Sequence, residues 1–121
     1  MKKILLVDDE QHILRVMQTA LSRYGYTVST ALNGAEGLQK YNAENPDAII
    51  VDIDMPRMNG RELCSAILAE DPQPACKIFI STGCALRDLR AWAEQFEQIM
   101  FMEKPISIRN VADRLARHLG E

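Results

Sequence analysis

The chain lacks most of what would place it outside a cell or in a membrane. Its 3 cysteines, Cys64, Cys76 and Cys84, are odd in number and none stands in a C-x-x-C pair. That pattern supports neither a disulfide framework nor a zinc site, and it fits reduced thiols in a cytosol. The basic start Met1-Lys2-Lys3 leads into the apolar stretch Ile4-Leu5-Leu6-Val7, which is too short for a signal-peptide core and ends in acids. No membrane passage is expected, and a cytoplasmic location is. An excess of positive charge is also missing. A net charge of -3 gives no broad attraction to nucleic acid or to an anionic membrane, so direct nucleic-acid binding is not expected. The 2 histidines, His12 and His118, are isolated and do not suggest a transition-metal site. No repeat, linker or low-complexity tract interrupts the 121 residues, and a single domain over 1–121 is expected. Within it, 47% hydrophobic against 26% charged residues is a balance that can build a core without staples.

The stretch around which the chain is organised runs Ala48-Ile49-Ile50-Val51-Asp52-Ile53-Asp54-Met55-Pro56-Arg57-Met58-Asn59-Gly60. An Ile/Val run without polar alternation fits a parallel strand covered on both faces, with Asp52 at its C-terminal mouth. Pro56 and Asn59-Gly60 then supply turn chemistry. Ile4-Leu5-Leu6-Val7 is a second apolar run, and it also ends in acid, Asp8-Asp9-Glu10.

Between these runs the periodicity is helical. Ile13, Leu14, Met17, Ala20, Leu21 and Tyr24 predict a helix over residues 11–24, stopped by Gly25. Tyr26-Thr27-Val28-Ser29-Thr30 alternates as an edge strand would, and Asn33-Gly34 reads as the turn that ends it. Ala35, Leu38 and Tyr41 mark a short second helix ended by Asn45-Pro46. Leu63, Cys64, Ile67 and Leu68 mark a third, ended by Asp71-Pro72-Gln73-Pro74. Ile78-Phe79-Ile80 is a buried strand leading to Ser81-Thr82-Gly83, Leu86, Leu89, Ala93 and Phe96 suggest a fourth helix, and Met100-Phe101-Met102 is a last strand before Glu103-Lys104-Pro105. Ser107 is a natural N-cap for a closing helix that buries Ile108, Val111, Leu115 and Leu119.

Five strands alternating with five helices predict an α/β, doubly wound, five-stranded parallel sheet in the flavodoxin-like order 2-1-3-4-5. In that order the switch point, where ligands bind, lies between the strands that end in Asp8-Asp9 and in Asp52. Carboxylates gathered within ~5 Å repel by about 3 kcal/mol per pair at an effective dielectric of 20. A hard divalent cation offsets this, and Mg²⁺ with one or two carboxylates, a carbonyl and water is the natural choice. Taken alone, Asp8-Asp9 would be read as a helix N-cap, Lys104 as a surface lysine and Thr82 as a turn hydroxyl. Together on one sheet rim they offer what an incoming phosphoryl group requires, and a carboxylate can itself accept that group.

Over essentially its whole length the chain resembles the receiver domain of two-component response regulators. The resemblance rests on Asp8-Asp9-Glu10 with Ile13-Leu14-Arg15, on Asp52 with Met55-Pro56 and Asn59-Gly60, on Thr82-Gly83 and on Lys104-Pro105. It implies a phosphorelay signalling role in which Asp52 accepts phosphate from a histidine kinase or histidine phosphotransfer protein. It further implies Mg²⁺ held by Asp9, Asp52 and the carbonyl of Asp54, with Asp8 acting mainly through water. Thr82 and Lys104 would sense the phosphoryl group, and Phe101 would be the switch aromatic that alters the surface of the fourth helix, fifth strand and fifth helix for a downstream effector. The chain departs from the family pattern in having Phe101 where a tyrosine hydroxyl would stand, Glu97-Gln98-Ile99 in place of a small Gly-Ala pair, and Ile106 where an aromatic is frequent.

Two rivals share some of these residues. Asp52-Ile53-Asp54 resembles the D-x-D nucleophile and acid of haloacid-dehalogenase-like phosphatases, but Pro56 stands where that family expects Thr or Val. A degenerate receiver acting only as an interaction module is disfavoured because every chemical position is filled. The expected protein is therefore not a turnover enzyme on an external substrate; it is phosphorylated and dephosphorylated on its own Asp52.

Overall fold

The short apolar runs pair into one sheet in a computed structural model that describes residues 2–53, 60–71, 74–82, 99–103 and 107–120, and of Thr82 and Glu103 only the backbone. The strands are β1 (Lys3–Val7), β2 (Thr27–Ala31), β3 (Ala48–Asp52), β4 (Lys77–Thr82) and β5 (Ile99–Glu103). They are parallel throughout and lie in the order β2-β1-β3-β4-β5, as the sequence predicts. The described helices are α1 (Gln11–Arg23), α2 (Gly34–Glu44), α3 (Gly60–Glu70) and the closing helix α4 (Ile108–Leu119). The helix expected across Leu86, Leu89, Ala93 and Phe96 lies outside the described residues.

The two-residue period of a strand sorts each apolar run onto both faces, which is why the central runs show no polar alternation. Leu5, Val7, Ile49, Val51, Ile78 and Ile80 face one way and pack with Leu63, Cys64, Ile67 and Leu68 of α3 and with Leu38 and Tyr41 of α2. Ile4, Leu6, Ala48, Ile50 and Phe79 face the other way, against Leu14, Met17 and Leu21 of α1 and Val111, Ala112 and Leu115 of α4. Every residue of β3 is buried, so Asp52 belongs to the most covered strand of the sheet.

Helix ends follow from local chemistry. Ser107 caps α4 by accepting the Asn110 N–H at 3.4 Å, and Asn45, at φ 49°, is the left-handed C-cap of α2. Asn33-Gly34 does not form the strand-ending turn expected from sequence. Asn33 is the N-cap of α2 and accepts the Glu36 N–H at 2.8 Å, while β2 runs on to Ala31. The same Asn-Gly pair suits a tight turn or a helix start, and the carboxamide found a helical N–H to satisfy. No described helix is long and apolar enough to cross a membrane.

Candidate functional site

Parallel pairing sets Val7 opposite Val51, so the next residues, Asp8 and Asp52, leave neighbouring strands side by side at the C-terminal rim. Asp52 in turn pairs with Ser81 of β4, and the Ile53 N–H donates to the Ser81 carbonyl at 3.0 Å. Both acids are buried, Asp52 at 2% and Asp8 at 9% exposure. A carboxylate in such a place needs compensation, because removing a charge from water costs several kcal/mol unless partners replace the water.

The turn into α1 supplies part of it. The Asp8 carboxylate accepts the Glu10 N–H at 2.9 Å, and the Asp8 N–H donates to the Ala31 carbonyl at 3.1 Å. Asp8 thus organises the turn ahead of the helix, while the N-cap position itself falls on Glu10, which makes no side-chain cap bond. Folding the turn this way draws the ligand atoms of Asp8, Asp9 and Glu10 within 4.8 Å of one another. All are hard oxygen donors, the set that suits Mg²⁺ or Ca²⁺ and not a thiophilic metal. Glu10, which also lies 3.7 Å from His12 Nε2, adds a carboxylate beyond the expected ligands, and its place in the contiguous Asp8-Asp9-Glu10 run is the signal for it in the sequence.

A cavity of about 510 Å³ at this rim is lined by the polar Asp8, Glu10, Asp52 and Ser81 and by the apolar Leu6, Leu14, Ile50 and Ile108 among others. Ser81, paired with Asp52 and lining the same cavity, joins the site beside Thr82, the hydroxyl that the family resemblance implies. Its position opposite Asp52 depends on register between strands far apart in sequence. The backbone of Thr82 ends β4 opposite Glu103. Asp54 and Lys104 lie outside the described residues. Phe101 is half-buried against the core on the α2 and α3 face, and its carbonyl accepts a hydrogen bond from Arg114.

A sheet of order 2-1-3-4-5 with buried acids at the ends of its first and third strands narrows the possibilities, and the comparison with known proteins decides among them. Residues 4–116 match a family model described as response regulator receiver domain. The chain belongs to that family. Receiver membership over that span displaces the haloacid-dehalogenase-like alternative. Among curated relatives, the alkaline phosphatase synthesis transcriptional regulatory protein PhoP of Bacillus subtilis is 34% identical over 94% of this chain and 47% of its own length. A probable transcriptional regulator ycf27 of Pyropia yezoensis is 40% identical over 98% of this chain and 52% of its own. The chain thus spans about half the length of these relatives. Among solved structures, a CheY-like receiver domain protein from Methanospirillum hungatei superposes with a TM-score of 0.91 at 28% identity, covering 99% of this chain and 94% of that one. The Thermotoga maritima response regulator TrrA, solved in complex with Mg²⁺-BeF, superposes with a TM-score of 0.84 at 28% identity, covering 98% of this receiver and 99% of that chain.

Proposed function

We propose that Asp52 is the phosphoacceptor of this receiver. One of its carboxylate oxygens attacks the phosphorus of a phosphohistidine on a histidine kinase or phosphotransfer protein. The new O–P bond forms as the P–N bond breaks, and the electron pair leaves with the imidazole. Hydrolysis of the acyl phosphate later restores the carboxylate, so the domain cycles on itself and turns over no external substrate. The observation that carries the proposal is the burial of Asp52, 2% exposed, at a strand end lining the same cavity as Asp8 and Glu10.

Asp8, Asp9, Asp52 and the backbone carbonyl of Asp54 are the groups that would hold Mg²⁺, which supplies charge neutralisation to the transferring phosphoryl group. Asp8 supports this role because its carboxylate is already oriented by the Glu10 N–H. Thr82, the last residue of β4, and Lys104, which follows β5 in the sequence, are the proposed hydroxyl and ammonium donors to the phosphoryl oxygens. A shift of population from 1:99 to 99:1 needs about 5.5 kcal/mol, which two charge-assisted hydrogen bonds of roughly 1.5 to 3 kcal/mol each can approach. Phe101 is the residue proposed to carry the change to a surface read by an effector domain or protein, as the regulatory names of the relatives suggest.

The test is intact-mass measurement of the protein incubated with acetyl phosphate. One phosphoryl group should add in Mg²⁺, none in EDTA, and none to Asp52→Asn. Undiminished labelling of Asp52→Asn would place the acceptor elsewhere.

A further inference from the structure

The sheet ends at β2, which pairs with β1 on one side and has no strand beside it on the other among the described residues. In a parallel pair, alternate residues of a strand turn their N–H and C=O toward the partner and the others turn theirs away. The Thr27 N–H donates to the Lys2 carbonyl at 3.0 Å and the Ala31 carbonyl accepts the Asp8 N–H at 3.1 Å. Thr27, Ser29 and Ala31 are therefore the residues that face β1, and Val28 and Thr30 present their backbone groups to the open edge. Such an edge is a template on which another strand can add.

Both outward carbonyls are occupied, each by a side chain from a different helix layer. Gln18 of α1 donates from Nε2 to the Val28 carbonyl at 2.9 Å. Lys40 of α2 donates from Nζ to the Thr30 carbonyl, reaching the edge from the other side of the sheet. Lys40 is itself held in place. Glu36, one helical turn earlier, lies 3.9 Å from its ammonium and accepts the Leu32 N–H at 3.2 Å, so the start of α2 fixes the direction of the lysine. A strand docking on β2 would have to displace a carboxamide and an ammonium, and would meet a positive charge at the edge.

We propose that Gln18 and Lys40 are edge guards that keep β2 from pairing with the β2 of a second copy of this chain. The β2 sequence itself, Thr-Val-Ser-Thr-Ala, is rich in β-branched residues and would suit such pairing. This inference is independent of the phosphoryl chemistry and rests only on the strand register and the two side-chain donors.

The test compares sedimentation velocity of the parent, Gln18→Ala, Lys40→Ala and the double variant across a range of concentrations, together with amide hydrogen exchange. The double variant is expected to self-associate at least about tenfold more tightly than the parent, with slowed exchange at the outward amides of Val28 and Thr30. Adding Thr30→Pro removes one outward N–H while leaving the β1 pairing intact, as an edge strand tolerates, and should return the protein to the parent's behaviour. A double variant that sediments as the parent does would overturn the proposal. So would association that survives Thr30→Pro, because it would arise from exposed core and not from the edge.

Discussion

Gly60 stands directly against Asp52: a β-carbon added at Gly60 would lie 2.8 Å from the Asp52 carbonyl oxygen, 2.9 Å from the Ile53 Cα and 2.9 Å from the Val51 side chain. Two of these three neighbours are backbone atoms, which cannot turn aside. The first residue of α3 is thus packed on the exit of β3, and the acid at the end of the strand is positioned partly by the missing side chain of a residue eight places later.

Gly60→Ala should push α3 and the end of β3 apart. Overpacking of this kind costs about 1 to 3 kcal/mol. The urea midpoint is expected to fall, and phosphorylation by acetyl phosphate should slow more than in a surface variant of equal stability. A variant with the parent's midpoint and the parent's rate would show that the contact relaxes without consequence.

How far the sequence reveals this arrangement depends on how local each signal is. The runs Ile4-Leu5-Leu6-Val7, Ala48-Ile49-Ile50-Val51 and Ile78-Phe79-Ile80 announce buried parallel strands by composition; the alternation of elements gives a doubly wound sheet, and the order 2-1-3-4-5, which suits five strands, puts the acids at the switch point. The observed strands are longer than the apolar runs, Lys77–Thr82 for Ile78-Phe79-Ile80 and Ile99–Glu103 for Met100-Phe101-Met102, because the ladder pairing continues from the buried Ile78–Ile99 pair to the polar Thr82–Glu103 end. Asn33-Gly34 is ambiguous in the sequence, since the same side chain serves a turn or a cap. Glu10 among the acids is legible in the contiguous Asp8-Asp9-Glu10 run, whereas Ser81 beside Asp52, Gly60 on Asp52 and Arg114 on Phe101 are tertiary relationships set by register and packing, for which no spacing within the chain gives a signal.

The two described cysteines carry a second prediction. Cys64 of α3 and Cys76, just before β4, share one core cluster. Burial pushes the Cys64 thiol up to about 12, with Cys76 adding to the effect, and burial with Asp47 nearby does the same for Cys76. An ordinary thiol titrates at 9.0. Between pH 9 and 12 the unfolded chain therefore releases protons that the folded chain keeps, and stability falls as pH rises, by ~1.4 kcal/mol per pH unit for each thiol. Tyr41, raised to about 12 by burial and then by Cys76, Asp71 and Glu70, acts in the same direction from a more exposed position. Denaturation midpoints measured from pH 8 upward should decline, and the Cys64→Ala, Cys76→Ala double variant should decline less. Peptide mapping after alkylation of the native protein at pH 8 should find both thiols unmodified. Rapid modification of either would mean that the core opens readily at that point.

The last prediction concerns Arg114, which ties the closing helix to the sheet. Its guanidinium donates to the Phe101 carbonyl of β5 and lies 5.4 Å from the centre of the Phe79 ring of β4. His118, one turn further along α4, meets the same ring edge-on with centroids 5.7 Å apart and planes at 68°. Arg114→Met keeps much of the apolar stem but loses the hydrogen bond and the charge over the ring, and should cost about 1 to 3 kcal/mol. Arg114→Lys retains a charge without the planar fork and should recover only part of this. His118 supplies an independent readout. Burial lowers its pKa from 6.5, and the neighbouring Arg114, Lys77 and Arg117 lower it further. As pH falls through 6.5 the unfolded chain takes up a proton that the folded chain resists, so His118 makes the protein less stable in acid. In Arg114→Met the His118 ring resonances should titrate at higher pH, and the acid loss of stability should shrink as it does in His118→Gln. A variant that melts as the parent does, with His118 titrating where it did before, would remove Arg114 from any part in joining α4 to Phe101.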